Sequence, residues 1–281
     1  MKRYPTTLII AGSDSGGGAG IQADIKTCSA LGVYASTAIT AITAQNTQGV
    51  RNIMPVTPEI VRQQIEAVID DLTVDSIKIG MLCNASIATA VADAVSQYNI
   101  PIILDPVMVS TSGHKLLSDD AIDVIIHRLF SIAEVVTPNI HEASLLSGMP
   151  IDNTTHLDAI AMKILSYGCK SVLIKGGHLA GDMAVDCLHT RDGMKYAYSL
   201  PYIDTLNTHG TGCTLSSAIA SFVALGYSLH HAVECAKDYL WKGIDHGAHI
   251  FAGKGNGAIN HGFAPQPLKT IEYQSSNSHT L

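Results

Sequence analysis

The segment Asn207-Thr208-His209-Gly210-Thr211-Gly212-Cys213-Thr214 runs directly into an apolar helical pattern, Leu215 to Leu225. A glycine turn that opens a helix leaves the first backbone N–H groups unpaired and aimed at one point, with the positive end of the helix dipole behind them. Such a place binds an anion. It suits the charge that spreads over a phosphoryl group during transfer, held by the amides of Gly210, Thr211, Gly212 and Cys213, with Thr208 a phosphate-binding candidate beside them. Cys213 stands at the helix start, where a thiol's pKa is expected to fall. The bland reading of the same residues is an N-capped core helix.

A second glycine segment, Gly12-Ser13-Asp14-Ser15-Gly16-Gly17-Gly18-Ala19-Gly20, follows a short apolar run and precedes a helical one. Gly18 to Ala23 satisfies G-x-G-x-x-A, but a dinucleotide fold also needs an acidic residue about 20 positions on. None occurs between Lys26 and Arg51. A Walker A loop is absent as well, because Gly253-Lys254 is followed by Gly255. A tight strand-to-helix turn is the alternative. His246 and His249 lie near helical spacing, yet no third metal ligand accompanies them.

These groups need a scaffold. Short β-rich runs (Thr6 to Ala11, Val33 to Thr43, Ser76 to Ile79, Ile100 to Leu104, Glu134 to Val136, Ser171 to Ile174, Ala184 to Leu188) alternate with segments of helical period (Pro58 to Leu72, Ser86 to Tyr98, Asp119 to Phe130). This is the pattern of parallel βαβ units. The strands are nearly all apolar, so helices should cover both sheet faces, giving an α/β fold with three layers, α/β/α. Lys195 to Leu200 alternates more loosely and is expected to pair antiparallel at an edge. Helical patterns Cys213 to Leu225 and Leu229 to Trp241 follow the glycine turn. Residues 1–263 read as one domain and 264–281 as a poorly ordered polar tail.

Composition narrows the partners. In 281 residues, 47% are hydrophobic and 15% charged, which excludes a disordered chain. The formal net charge of -7 argues against a nucleic-acid partner, so any phosphate must be held by local groups. Six cysteines without a C-x-x-C pair read as reduced thiols and place the protein in the cytoplasm. No membrane span or signal segment is apparent from the first residues.

The motifs together resemble the ribokinase superfamily, and within it the hydroxymethylpyrimidine and phosphomethylpyrimidine kinases of thiamine biosynthesis. The resemblance runs from Ile9 to about Gly262. It is carried by Ala11 to Asp24, Thr43-Ala44-Gln45-Asn46-Thr47, Lys78-Ile79-Gly80-Met81 and the Asn207 to Cys213 turn. Sugar kinases of the superfamily end that turn in Asp; the cysteine here agrees with the vitamin-kinase branch. The resemblance implies a ribokinase-like sandwich with a mostly parallel sheet. It also implies Gln45, Asp24, Met81 and Gly12 around a pyrimidine, Lys175 and Asn139 on nucleotide phosphate, and Glu142 with Asp105 at a magnesium ion. Lys237 is a further nucleotide-side candidate. ATP would be the donor, Mg2+ its companion, Cys213 the group that accepts or relays the alcohol's proton, and the assembly a homodimer.

By local pattern alone Asp105-Pro106 could end a strand, Asn139 could cap a helix and Glu142 could complete a capping box. Rival readings are a pyridoxal kinase of the same fold, a non-catalytic pyrimidine-binding relative, and, last, a dinucleotide-dependent oxidoreductase.

Overall fold

The computed structural model describes residues 1–108, 117–150, 156–176 and 182–272. Among these, β1 (Lys2–Arg3) pairs antiparallel with β11 (Ile271–Glu272), apart from the main sheet. The main sheet has nine strands: β2 (Thr6–Asp14), β3 (Tyr34–Asn46), β4 (Gly49–Pro55), β5 (Ser76–Ile79), β6 (Ile102–Leu104), β7 (Val135–Val136), β8 (Ser171–Lys175), β9 (Met183–Thr190) and β10 (Lys195–Pro201). Their order is β10-β9-β8-β7-β6-β5-β2-β3-β4. From β3 across to β8 neighbours are parallel, while β4, β9 and β10 run antiparallel to theirs.

Alternation along the strands explains the three layers. Leu8, Ile10, Ile102, Leu104, Val172 and Ile174 point to one face, where α2 (Pro58–Asp71), α3 (Ala85–Val95), α4 (Asp119–Val124), α5 (Ile140–Ser147) and α6 (Leu157–Leu165) bury them. Ile9, Ile103 and Leu173 point to the other, under α1 (Gly20–Ala30), α7 (Thr211–Ala224) and α8 (Leu229–Gly247). Each such side chain, sealed on both sides of the sheet, contributes about 1.5–3 kcal/mol. A charge interrupts this apolar sheet: Lys78 in β5 is fully buried among these side chains.

The chain departs from β2 toward β3 on one side and toward β5 on the other, so the sheet reverses its order between β2 and β5. In open α/β sheets a crevice forms outside the carboxyl ends of the strands at that point. Asp14, Asp105 and Lys175 all stand at such ends, and Asn139 follows β7 closely.

The structure departs from sequence expectation in places. β3 runs on to Asn46 and turns back into β4, an edge strand whose mixed, mostly exposed side chains hide the strand period. The span Asp119 to Phe130 is not one helix: α4 gives way to a π turn at Ile125–Leu129 and a 3-10 turn at Phe130–Ile132. α6 carried no call. Residues 264–272 are not a loose tail, since Gln266 N donates to Ala30 O at 2.9 Å, Lys269 N to Gly32 O at 2.8 Å, and β11 closes on β1. The rest of the expected tail lies outside the described residues.

Candidate active site

A cavity of about 730 Å³ lies over the carboxyl ends of the strands and joins three regions. The middle one is the glycine turn. Gly210 is the N-cap of α7 with φ 82°, a left-handed conformation, and a Cβ there would overlap the Gly18 carbonyl oxygen. Glycine is therefore required twice over, for its dihedral and for the approach of the first glycine loop. That loop braces the turn. α7 then begins with Thr211, whose N–H donates to Thr208 O at 3.3 Å, followed by Gly212 and Cys213, whose N–H groups have no carbonyl one turn earlier in the helix.

Beside this turn Lys175 Nζ donates to Asp105 Oδ1 at 2.9 Å, and the Ser216 hydroxyl approaches Asp105 Oδ2 at 3.4 Å. Burial opposes the charge on Lys175, but Asp105 and Glu142 hold its pKa above the ordinary lysine range. Asn139 and Glu142 form a full capping box at α5. The Asn139 side chain accepts from Glu142 N at 2.9 Å, and Glu142 Oε2 accepts from Asn139 N at 2.9 Å. Glu142 Oε1 accepts from Met108 N at 3.2 Å. Burial raises the Glu142 carboxyl pKa, with Asp105 adding to it and Lys175 opposing. The local capping reading of these two residues is thus realised, and both still face the cavity.

At one end, Gln45 lies between Thr43, whose hydroxyl is 3.2 Å from Gln45 Oε1, and His209, whose Nε2 is 3.3 Å from the Gln45 amide nitrogen. Asp14 holds His209 at 2.9 Å and accepts the backbone N–H groups of Gly16, Gly18 and Ala19. These bonds keep its carboxyl below the usual range although burial pulls the other way. Gly12 and Met81 complete this wall. At the other end the lining is apolar, with Leu240, Trp241 and Ile244 from α8 and Ile203 after β10. Lys237 is there too, buried and bound to Asp186 Oδ2 at 2.7 Å.

Of the residues singled out by sequence, Gly12, Gln45, Met81, Asp105, Asn139, Glu142, Lys175, Thr208, Gly210, Thr211, Gly212, Cys213 and Lys237 line the one cavity. Asp24 does not. It is fully buried and ion-paired with Lys78 at 2.8 Å, so it cannot be part of the pocket wall. The Cys213 thiol is also a correction: loss of water around it pushes its pKa up to about 11, outweighing the lowering expected at a helix start. Gly177 and His178, next to Lys175, lie outside the described residues. His246 stacks on Phe263 at 5.3 Å, which accounts for it as packing. Asp14, Lys78, His209, Asp186 and Trp241 were given no role from sequence. For Asp14 a signal existed, an acid followed by a run of glycines whose N–H groups can wrap it; for Trp241 there was none.

Residues 14–260 match the family model described as phosphomethylpyrimidine kinase. The chain belongs to the phosphomethylpyrimidine kinase family. It is 47% identical over 257 residues to the hydroxymethylpyrimidine/phosphomethylpyrimidine kinase of Rhizobium meliloti, covering 90% of this chain and 96% of that one. The enzyme of the same name from Haemophilus influenzae is 42% identical over 265 residues, covering 93% and 98%. Among solved structures, phosphomethylpyrimidine kinase from Clostridium difficile superposes with a TM-score of 0.76 at 43% identity, covering 85% of this chain and 99% of that one. Pyridoxal kinase from Staphylococcus aureus, in complex with AMP-PCP and pyridoxal, superposes with a TM-score of 0.84 at 29% identity, covering 96% and 100%. The ribokinase-like α/β fold expected from the motifs is the one found.

Proposed function

We propose that this chain transfers the γ-phosphoryl group of ATP to the hydroxymethyl group of 4-amino-5-hydroxymethyl-2-methylpyrimidine, and then to the resulting monophosphate to give the diphosphate. The observation that carries this is a single cavity joining a directional polar end at Gln45 to an apolar end at Trp241 through the glycine turn and Lys175. Gln45 has the donor and the acceptor that an aminopyrimidine edge requires. The N–H groups of Gly212 and Cys213 would hold the transferring phosphoryl, and Lys175 would release part of its hold on Asp105 to meet phosphate oxygens.

The residues present fit a magnesium ion carried by the nucleotide. Such an ion keeps several waters and takes only one or two carboxylates, and Asp105 and Glu142 face the cavity with lone pairs left after the bonds described. When bound, it would neutralise charge on the triphosphate. Cys213 acts chiefly by placement and through its backbone N–H, because a thiol near pKa 11 is protonated at neutral pH and a loose transition state asks little of a base.

Coupled ADP release with the pyrimidine alcohol, followed by product mass, tests the proposal. One and then two added phosphates are expected, and absence of ADP release with tight pyrimidine binding would instead indicate a non-catalytic relative. The close superposition on a pyridoxal kinase supports a second reading, pyridoxal as an acceptor, and turnover on pyridoxal alone would replace the first. We also infer a homodimer: Ile42 and Met54, register partners on β3 and β4, are 47% and 57% exposed and offer an apolar patch. Sedimentation as a monomer would refute it. No helix among the described residues is long and apolar enough to cross a membrane, and the free thiols fit the cytoplasm.

A further inference from the structure

Beneath the glycine turn, α1 and α7 meet along a polar ladder with steps of four residues. Ser217 in α7 donates to Asp24 Oδ1 in α1 at 2.6 Å, and one turn on, the Ser221 hydroxyl lies 3.3 Å from Cys28 Sγ. One turn back along α7 from Ser217 stands Cys213, at the cavity. Between the helices Lys78 rises from β5 and donates to Asp24 Oδ2 at 2.8 Å, and both side chains are 0% exposed. Gly80 makes room for the ammonium, since a Cβ there would come within 2.8 Å of Lys78 Nζ.

Burying two charges is costly, and a well-packed apolar pair in the same place is often as stable or more so. Stability alone therefore gives little reason for a lysine in this strand. Only Lys78 borders the cavity, and Asp24 sits behind it. The pair is a fixed dipole with its positive end toward the floor that carries Cys213. An ammonium has three N–H groups, and among the described residues it donates to Asp24 alone.

We propose that Lys78 is a positioning residue for phosphoryl transfer, holding positive charge under Cys213 and the acceptor oxygen while Asp24 fixes its direction. This rests on the kinase reading above. Lys78 stays an ammonium throughout and moves no proton. Asp24 keeps its pKa above the ordinary lysine range although burial opposes the charge. In the first transfer the acceptor is a neutral alcohol that gains negative charge as the bond to phosphorus forms. In the second it arrives already as a phosphate anion, so a cation under the floor also favours its binding.

The test compares initial rates on the alcohol and on its monophosphate for wild type, Lys78→Met, Asp24→Asn and the double variant, with melting temperatures for each. Lys78→Met should raise KM for the monophosphate about tenfold more than KM for the alcohol, and leave KM for ATP unchanged. Asp24→Asn, which removes the carboxylate that aims Lys78 and keeps it charged against burial, should raise KM for the monophosphate over that for the alcohol in the same sense, by no more than Lys78→Met does. The double variant removes both charges together, so it should recover melting temperature lost in the single variants and keep the skewed KM ratio. A merely structural pair would shift both acceptors alike. A folded double variant with the wild-type KM ratio overturns the proposal, as does a folded Lys78→Met variant in which KM for the alcohol and for the monophosphate rise alike. Wild-type protein inactive on both pyrimidines would instead refute the kinase reading.

Discussion

The two ends of the cavity are built on opposite principles. At the Gln45 end each polar group is held by another: Asp14 gathers three backbone N–H groups and the His209 ring, and Gln45 sits between that ring and Thr43. At the Trp241 end the lining is mostly hydrocarbon, and the indole N–H is taken up by Pro201 O at 2.7 Å. A wall of fixed donors and acceptors can reject a ligand that leaves one unpaired by factors of about 10⁴ or more, whereas an apolar wall distinguishes a methylene by only about 1–3 kcal/mol. Selectivity should thus reside with the acceptor, and the nucleotide base should be held by surface. The glycine turn and Lys175 lie between and, on the proposed function, serve both.

Breaking the shared middle should have the largest effect. Gly210→Ala would place an L side chain at φ 82°, which costs about 1–2 kcal/mol by itself, and would drive its Cβ into the Gly18 carbonyl. Turnover should fall by roughly 100-fold or more with either acceptor, since one oxyanion-type donor alone is worth about that much. ADP release and a melting curve measure it. Activity within fivefold of wild type would mean that the turn is not where the phosphoryl group rests.

Lys175→Met should follow closely. It removes the cation proposed to meet the phosphates and leaves Asp105 buried without its ion-pair partner. A loss in kcat of about 100-fold, equal for alcohol and monophosphate, is expected, with little change in acceptor KM. An effect confined to one acceptor would move Lys175 from the middle of the cavity to the Gln45 end, and would contest the division drawn between it and Lys78.

The same contrast decides what could be read from the chain. Polar groups acting at fixed spacing leave motifs, and so the glycine turn was legible by itself, while Asn139 with Glu142, Lys175 and Gln45 stood out through the family resemblance; all of them meet in one cavity. The parallel core was legible because doubly covered strands are continuously apolar. β4 was not, because an edge strand facing solvent needs no such pattern. Asp24 was misplaced because an isolated acid on a helix gives no sign of its depth. Its partner Lys78 is distant in sequence and reaches it only once β5 pairs with β2 and α1 and α7 close over them. The Cys213 thiol shows two local effects in competition, with helix-start stabilisation visible in sequence and the burial that defeats it visible only in the fold. Trp241 left no motif because hydrocarbon contact demands no particular spacing.

Trp241→Ala probes that apolar end. The expected result is a rise in KM for ATP of about five- to tenfold, the size of one lost aromatic contact, with KM for the pyrimidine unchanged. Initial rates at varied ATP and at varied pyrimidine separate the two. A rise in pyrimidine KM of equal size would show that the ends are not independent.

The smallest effect on turnover at neutral pH is expected at His261, which supports the turn from behind without facing the cavity. Its Nε2 lies 3.0 Å from the Thr214 hydroxyl, which itself donates to Gly210 O at 2.9 Å, so the ring nitrogen must supply the proton between them. Burial, with Lys26 adding to it, lowers the His261 pKa from 6.5 to about 4. The unfolded chain then binds a proton between these values that the folded chain does not, so stability rises with pH across that window and is lost on acidification. From pH 7 to pH 5 this group alone should cost about 2 kcal/mol. The lowered Asp14 carboxyl acts in a separate window, starting below its ordinary value of 3.8, where protonation would release His209 and the glycine loop. Urea unfolding at pH 7 and pH 5 should show the loss in wild type and a flatter profile in His261→Asn, with turnover at pH 7 within about twofold. An unchanged slope in the variant would assign the acid sensitivity to another histidine, and would leave Thr214 alone to tie the turn to its helix.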